Sequence, residues 1–354
     1  MDSNFQAVLQ KAAGQQPLSK EDIVTLLKAK PGNQQRELFA LADKVRQQHH
    51  GNVVHLRGII EFSNYCRNDC HYCGLRRSNR NISRYRMTVQ QVIEASRRAI
   101  ELGYNTIVLQ SGEDPWYDVN TLCRMIAEIK KIKNVAITLS IGERSKEEYQ
   151  QLYRAGADRF LLKHETADRQ LFSSLRPGTS FERRLQCLQW LRESGYQLGS
   201  GNMVGLPGQT LDSLAEDILL LKKLDVEMAG IGPFIPHPQT PLAGQPAGDL
   251  QLALKTLAVA RIMLPLCHLP ATTAAGTMHS EGRQMALNCG ANVIMPNVTP
   301  LKYRRLYQIY PNKAGVTDDP QQSLQKIVGI IHQVGREVAA GRGDSPKPVF
   351  QKGY

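Results

Sequence analysis

VVHLRGIIEF (53–62) runs straight into SNYCRNDCHYCGLRR (63–77), and this junction of a β-rich run with a cysteine loop organises the rest of the chain. The first ten residues are rich in Val and Ile, as a strand is. In the loop, Cys66, Cys70 and Cys73 fall within eight positions, with three residues between the first two and two between the last two.

Working outward, seven more short β-rich runs follow: TIVLQS (106–111), AITLSI (136–141), RFLLKHE (159–165), QLGSGNMVGL (197–206), MAGIGPFI (228–235), ATTAAG (271–276) and ANVIMPN (291–297). Amphipathic stretches over 88–102, 118–132, 145–155, 181–194, 210–223, 249–264 and 279–288 separate them. Thr88, Ser145 and Thr210 open three of these as helix caps. This alternation predicts an α/β fold with a parallel sheet, most simply closed as a single (β/α)8 TIM-type barrel over 52–300. EDIVTLLKAK (21–30) and ELFALADKVR (37–46) carry helical periodicity, so 1–51 reads as an N-terminal helical lead-in and 301–354 as a C-terminal segment closing the barrel. Within that segment GRGDSPKPVFQKGY (341–354) is expected to be loosely ordered. In such a barrel the chemistry sits at the carboxyl ends of the strands. The runs here end in polar residues: Gln110-Ser111-Gly112-Glu113, Gly142-Glu143, His164-Glu165-Thr166, Asn202, His237, Thr272-Thr273 and Asn297.

Composition narrows the class. At 354 residues and 42% hydrophobic content the chain can bury a full core. No apolar run reaches the ~18 residues that span a bilayer, and the polar start MDSNFQAVLQ is not a signal peptide; a cytoplasmic protein without a membrane partner is expected. Seven cysteines, an odd number with three clustered, point to metal ligation rather than a disulfide framework. Cys123, Cys187, Cys267 and Cys289 read as small buried hydrophobes. A net charge of +12 suits an anionic substrate, an acidic protein or nucleic acid. No stretch looks like a separate nucleic-acid module, so no nucleic-acid partner is expected. Arg76 to Arg86 is the densest basic stretch and a candidate docking surface.

A loop with this cysteine spacing can wrap three thiolates around one [4Fe–4S] cubane, leaving one iron open for a small molecule. Zinc is the plain alternative, but it usually takes four N or S ligands in paired knuckles, and no second pair is present. The loop, with Tyr72 before its last cysteine, resembles the radical S-adenosylmethionine superfamily, as does the Ser111-Gly112-Glu113 turn after the second run. Longer stretches resemble one family within it, the E-type radical maturase of [FeFe]-hydrogenase: IVLQSGEDPWY (107–117), AGADRFLLKHETA (155–167), LRPGTSFERRL (175–185), GIGPFIPHPQTPLA (230–243), GANVIMPNVTP (290–300) and YRRLYQIYP (303–311).

The resemblance implies one [4Fe–4S] cluster on Cys66, Cys70 and Cys73, with S-adenosylmethionine held by Tyr72, Gln110, Ser111, Gly112, Glu113, Glu165 and Arg184. Thr138, Arg159, Thr272, Thr273, Met295, Tyr303 and Tyr307 would line a cavity for substrate and anions. It also implies a small iron-complex substrate, a cysteine-bound iron dicarbonyl cyanide attacked at sulfur, and two partner maturases, a tyrosine-cleaving radical enzyme and a GTPase scaffold. His164 and His237 are second-rank candidates. Some members carry three further cysteines for a second cluster; NKAGVTDDPQQSLQKIVG (312–329) has none, so no second cluster is expected. Lys163 stands where members often have Arg, which loses bidentate geometry. The alternatives are a biotin-synthase-like or methylornithine-type radical enzyme, or a non-enzymatic iron–sulfur scaffold.

Overall fold

A computed structural model describes residues 3–351. Three helices lead in, α1 (Ser3–Ala13), α2 (Lys20–Leu27) and α3 (Asn33–His50). Ser19 and Asp22 cap α2 reciprocally, and Gly51 at φ 64° ends α3. The first β-rich run breaks at Arg57 into β1 (Val53–Leu56) and β2 (Gly58–Ser63).

Strands and helices then alternate as the patterning demands. α4 (Val89–Glu101), β3 (Thr106–Ser111), α5 (Val119–Ile132), β4 (Ala136–Ser140), α6 (Lys146–Arg154) and β5 (Arg159–Leu161) come first. After them run α7 (Arg169–Leu175), α8 (Phe181–Glu193), β6 (Gln197–Ser200), β7 (Met203–Val204), α9 (Leu211–Lys223), β8 (Met228–Ala229), β9 (Gly232–Pro233) and α10 (Leu250–Met263). Thr88, Ser145 and Thr210 form capping boxes as expected. α4 turns Val92, Ile93, Ala95, Ser96 and Ala99 inward, the spacing of one helical face.

β2, β3, β4, β5, β6 and β8 form one parallel sheet in that order. Glu61 stands beside Gln110, and Thr138 beside Arg159 and then Gln197 in register. Parallel bridges carry the pairing onward: Met228 with His268, Pro270 with Val293, and Ile59 with Asn297. The helices pack outside, and α3 lies against α10 on one flank. Cys187, Cys267 and Cys289 are buried, as expected of small apolar side chains, whereas Cys123 is only half-buried, and all seven cysteines are free. Among the described residues no helix is long and apolar enough to cross a membrane.

The last third departs from the expectation. ATTAAG is not a strand: His268 and Pro270 make the bridges, and Thr272 caps α11 (Thr273–Met278), its hydroxyl accepting from Ala275 N–H. Ala and Thr in a short run do not separate strand from helix, and the cap decides. Then follow α12 (Gly282–Asn288), β10 (Val293–Ile294), α13 (Leu301–Arg304), α14 (Pro320–Gln333) and β11 (Glu337–Val338). β1 lies between β10 and β11.

The tail is not loose where it is described. Arg342 O accepts from Thr106 and Arg159, Asp344 pairs with Arg159 at 2.7 Å and takes Gln197 Nε2 at 2.9 Å, and Ser345 N–H meets Gln197 Oε1. Residues 342–345 thus plug the amino ends of β3, β5 and β6. Only 352–354 of the predicted tail lie outside the described residues.

Candidate active site

The cysteine loop leaves β2 at Ser63 and returns at Arg86, which bridges back to Ser63. Asn64 ties its ends: the side chain donates to Ser83 O and Leu306 O and accepts from Tyr85 N–H. Arg84 reaches into the loop and donates to the carbonyls of Asn64, Leu75, Arg76 and Asn79. Arg76 pairs with Asp69. Of the basic stretch, these arginines hold the loop's shape, while Arg77 and Arg80 remain exposed. Gly74 is obligatory, since a Cβ there would lie 2.2 Å from Gln308 O and 2.6 Å from the His237 ring.

Cys70 is buried, and Cys66 and Cys73 are partly so. Burial raises all three thiols above the ordinary cysteine value. Among the described residues no three His, Cys, Asp or Glu side chains converge on a point where one metal ion could sit. Three cysteines on a short wrapped loop with no fourth protein ligand fit a polynuclear cluster with one open iron.

Around the loop the strand ends supply charged groups. Glu113 donates its N–H to Cys66 Sγ at 3.4 Å, and its carboxylate takes Arg67 Nε at 2.6 Å and Asn68 Nδ2 at 2.9 Å. Glycine is required on both sides: a Cβ on Gly112 would meet Tyr65 O at 2.1 Å, and one on Gly142, at φ 80°, would meet Glu113 Oε2 at 2.4 Å. Ser111 ends β3 with its hydroxyl on Gly112 O. Arg184, on α8, is buried; Glu143 holds its Nε at 2.7 Å, and one terminal nitrogen donates to Lys163 O.

Glu165 has φ 69°, the left-handed region that a residue with a Cβ seldom occupies. Such strain persists only where the surroundings impose it, and it gathers at functional sites. Here its N–H meets Gly201 O, while Arg176 lies 3.8 Å from the carboxylate and donates to Tyr72 Oη at 2.8 Å. Tyr72, Arg176 and Glu165 thus link the cysteine loop to the end of β5. Arg176, Arg67 and Asn68 escape sequence reasoning because nothing in their spacing marks them, and Glu143, marked there only as a polar strand end, gains its role as the partner of Arg184 only in the folded chain.

The two histidines have partners within the fold. His164 Nδ1 meets Ser200 Oγ, and its other nitrogen faces Asp217 at 3.3 Å. His237 Nδ1 accepts from Gln239 N–H.

The expected cavity residues fall into separate groups. Gln110 donates to Tyr307 Oη at 3.4 Å, and Tyr307 is buried beside the cysteines. Thr273 and Met295 line a cavity of about 30 Å³ with Glu61 and Lys313, which pair at 2.5 Å. Thr272 lies beneath Gly232. Thr138 and Arg159 lie lower, around a cavity of about 10 Å³ shared with Arg57 and His268. Tyr303 is a correction: it stacks on Tyr85 at 4.8 Å, bonds Gln91 and lines a groove on the outside. The turn of α13 aims it away from the strands, whereas Tyr307 four residues later faces in.

Residues 60–221 match the family model described as "Radical SAM superfamily". The [FeFe] hydrogenase maturase subunit HydE of Thermotoga maritima is 54% identical over 89% of this chain and 90% of that protein. The chain belongs to the HydE family of radical S-adenosylmethionine enzymes. The 3-methylornithine synthase of Methanosarcina acetivorans is more distant, at 30% identity over 78% of this chain and 79% of that protein. The crystal structure of methylornithine synthase (PylB) superposes with a TM-score of 0.83 over 94% of this chain and 97% of that one, at 26% identity. As a HydE-type hydrogenase maturase and radical enzyme, the chain uses the superfamily's [4Fe–4S] cluster and S-adenosylmethionine.

Proposed function

We propose that this chain acts in building the di-iron subcluster of the [FeFe]-hydrogenase H-cluster, on a cysteine-bound iron dicarbonyl cyanide unit attacked at its sulfur. The observation that carries the reading is the identity to HydE over nearly the whole chain, joined to a site in which Cys66, Cys70, Cys73 and Glu113 share one loop and turn. When bound, the cluster supplies the electron that splits S-adenosylmethionine into methionine and a 5′-deoxyadenosyl radical.

The chain's own groups orient that cofactor. Glu113, fixed by Arg67 and Asn68, receives the methionyl ammonium beside the backbone of Ser111 and Gly112. Arg184, with Nε and one terminal nitrogen already engaged, offers its remaining nitrogen to the methionyl carboxylate. Glu165 takes the ribose hydroxyls, and Tyr72 steadies it through Arg176. Gln110 and Tyr307 close the space above the cluster loop, Thr272, Thr273 and Met295 bound the substrate's chamber, and Thr138 serves anions deeper in, whereas Arg159, given the same role by the resemblance, is already taken up by Asp344, Gln197, Thr106 and the Arg342 carbonyl.

We read the strands and bridges as one closed (β/α)8 barrel over 52–300, with 1–51 leading in and 301–354 closing it. Cys66, Cys70 and Cys73 hold the only cluster, since 312–329 offers no cysteine. The partners are the tyrosine-cleaving radical enzyme and the GTPase scaffold in the cytoplasm, with no nucleic acid or membrane. The test is activation of apo-hydrogenase by the two other maturases with and without this chain. Activation should require it; equal activation in its absence, or with Cys70→Ala, contradicts the reading.

A further inference from the structure

Trp116 is the most exposed large aromatic in the described chain, at 58%. It is not adrift. Its ring packs edge-on against buried Tyr117 at 4.7 Å, and its backbone N–H donates to Asp114 Oδ1. The Arg86 guanidinium lies 5.3 Å from its centroid and 3.8 Å from that of Tyr65, the residue before Cys66. Asp114 fixes Arg86 in that place with contacts of 2.8 and 3.0 Å and is itself held by Ser63. A backbone route runs alongside: Cys66 Sγ accepts from Glu113 N–H, and Glu113, Asp114, Pro115 and Trp116 are consecutive. One hydrogen bond and a short covalent path thus separate an exposed tryptophan from a cluster sulfur.

We propose that Trp116 anchors the docking of an acidic, low-potential one-electron carrier protein that reduces the cluster. This rests on the radical-enzyme reading, which requires one external electron per cleavage. The carrier is oxidised by one electron and the cluster reduced by one, with no bond made or broken in transfer. Two features of the face fit such a partner. A pinned aromatic beside an arginine is the usual anchor of a protein interface. Exposed Arg67, paired with Glu113, lines the pocket beside Pro115 together with Arg144 and Arg183, where Asp118, Glu143 and Glu148 also stand, and exposed Arg77 is joined to this side of the loop by its backbone N–H on Asn68 O, on a chain of net charge +12. Cationic rims steer acidic partners and lose that pull as salt rises. Arg76 and Arg84 are spent on the loop itself, so the docking charge lies at its edge.

The test uses flavodoxin hydroquinone as the protein donor and dithionite as a small donor that needs no docking. Stopped-flow absorbance follows cluster reduction in the reconstituted protein, and binding of oxidised flavodoxin to the same protein is titrated in parallel. Trp116→Ala and Arg77→Glu should each slow reduction by flavodoxin about tenfold and weaken its binding, with dithionite rates unchanged and Trp116→Phe restoring most of the loss. Wild-type rates with flavodoxin in both variants overturn the proposal. Equal slowing with both donors also overturns it, since the residues then support the cluster rather than the partner. Failure of wild type to release 5′-deoxyadenosine even with dithionite would strike the underlying reading instead.

Discussion

Single residues do two different jobs at the strand ends, and only one is readable in sequence. Cys66, Cys70, Cys73 and Glu113 stand out because their chemistry needs those side chains at close spacing. Arg67, Asn68 and Arg176, which fix Glu113 and Tyr72, carry no pattern and are found by distance alone, while Glu143 shows in the sequence as a polar strand end but not as the partner of Arg184. Gly112 belongs to both sets, since its tight approach to Tyr65 O explains why glycine must precede the glutamate. Arg184→Lys keeps the charge but cannot serve Glu143, Lys163 O and a carboxylate together. It should raise the KM for S-adenosylmethionine about tenfold, the cost of one charge-assisted hydrogen bond, with kcat nearly unchanged. A kcat loss with unaltered KM would remove Arg184 from cofactor binding.

Among elements, the β-rich runs and capped helices through α10 are legible because their periodicities differ and Thr88, Ser145 and Thr210 announce the helices. Legibility fails where runs are short and mixed: α7 hides in a polar stretch, and Thr272 starts a helix inside an expected strand. The segment after α13 is held to β2 by Lys313, whose ammonium meets Glu61 deep in the core and also donates to Tyr307 O. Lys313→Met leaves that carboxylate buried without its cation, which costs about 3–5 kcal/mol. Urea unfolding should show this loss, and limited proteolysis should cut faster within 305–318. Unchanged stability would mean that the pair does not fasten the segment.

At the scale of the molecule, the tail is the feature that sequence alone misjudges. GRGDSPKP is polar and rich in Gly and Pro, yet Asp344 neutralises Arg159, a guanidinium lodged among strand ends. Burial by itself would raise the Asp344 carboxyl, but Arg159, Gln197 and Arg342 override it and hold it well below the usual range. Asp344→Ala strands Arg159 and should cost about 3–5 kcal/mol, read as a lowered Tm. Acid acts through the same end of the fold. Burial, with Arg57 and Arg159 nearby, lowers His55 to about 4, and burial with Arg261 lowers His50 to about 3. Unfolded, both imidazoles take a proton near pH 6.5. Between that pH and about 4 the unfolded chain binds more protons, so stability should fall as pH drops through this window. A Tm flat from pH 7 to 4 would contradict these burials.

The central claim is tested most directly by measuring 5′-deoxyadenosine released from S-adenosylmethionine. The protein is reconstituted anaerobically with iron and sulfide and reduced, wild type beside Cys70→Ala. Wild type should release 5′-deoxyadenosine and the variant essentially none. Release by both alike, or by neither, would contradict the assignment of a radical-generating cluster to Cys66, Cys70 and Cys73.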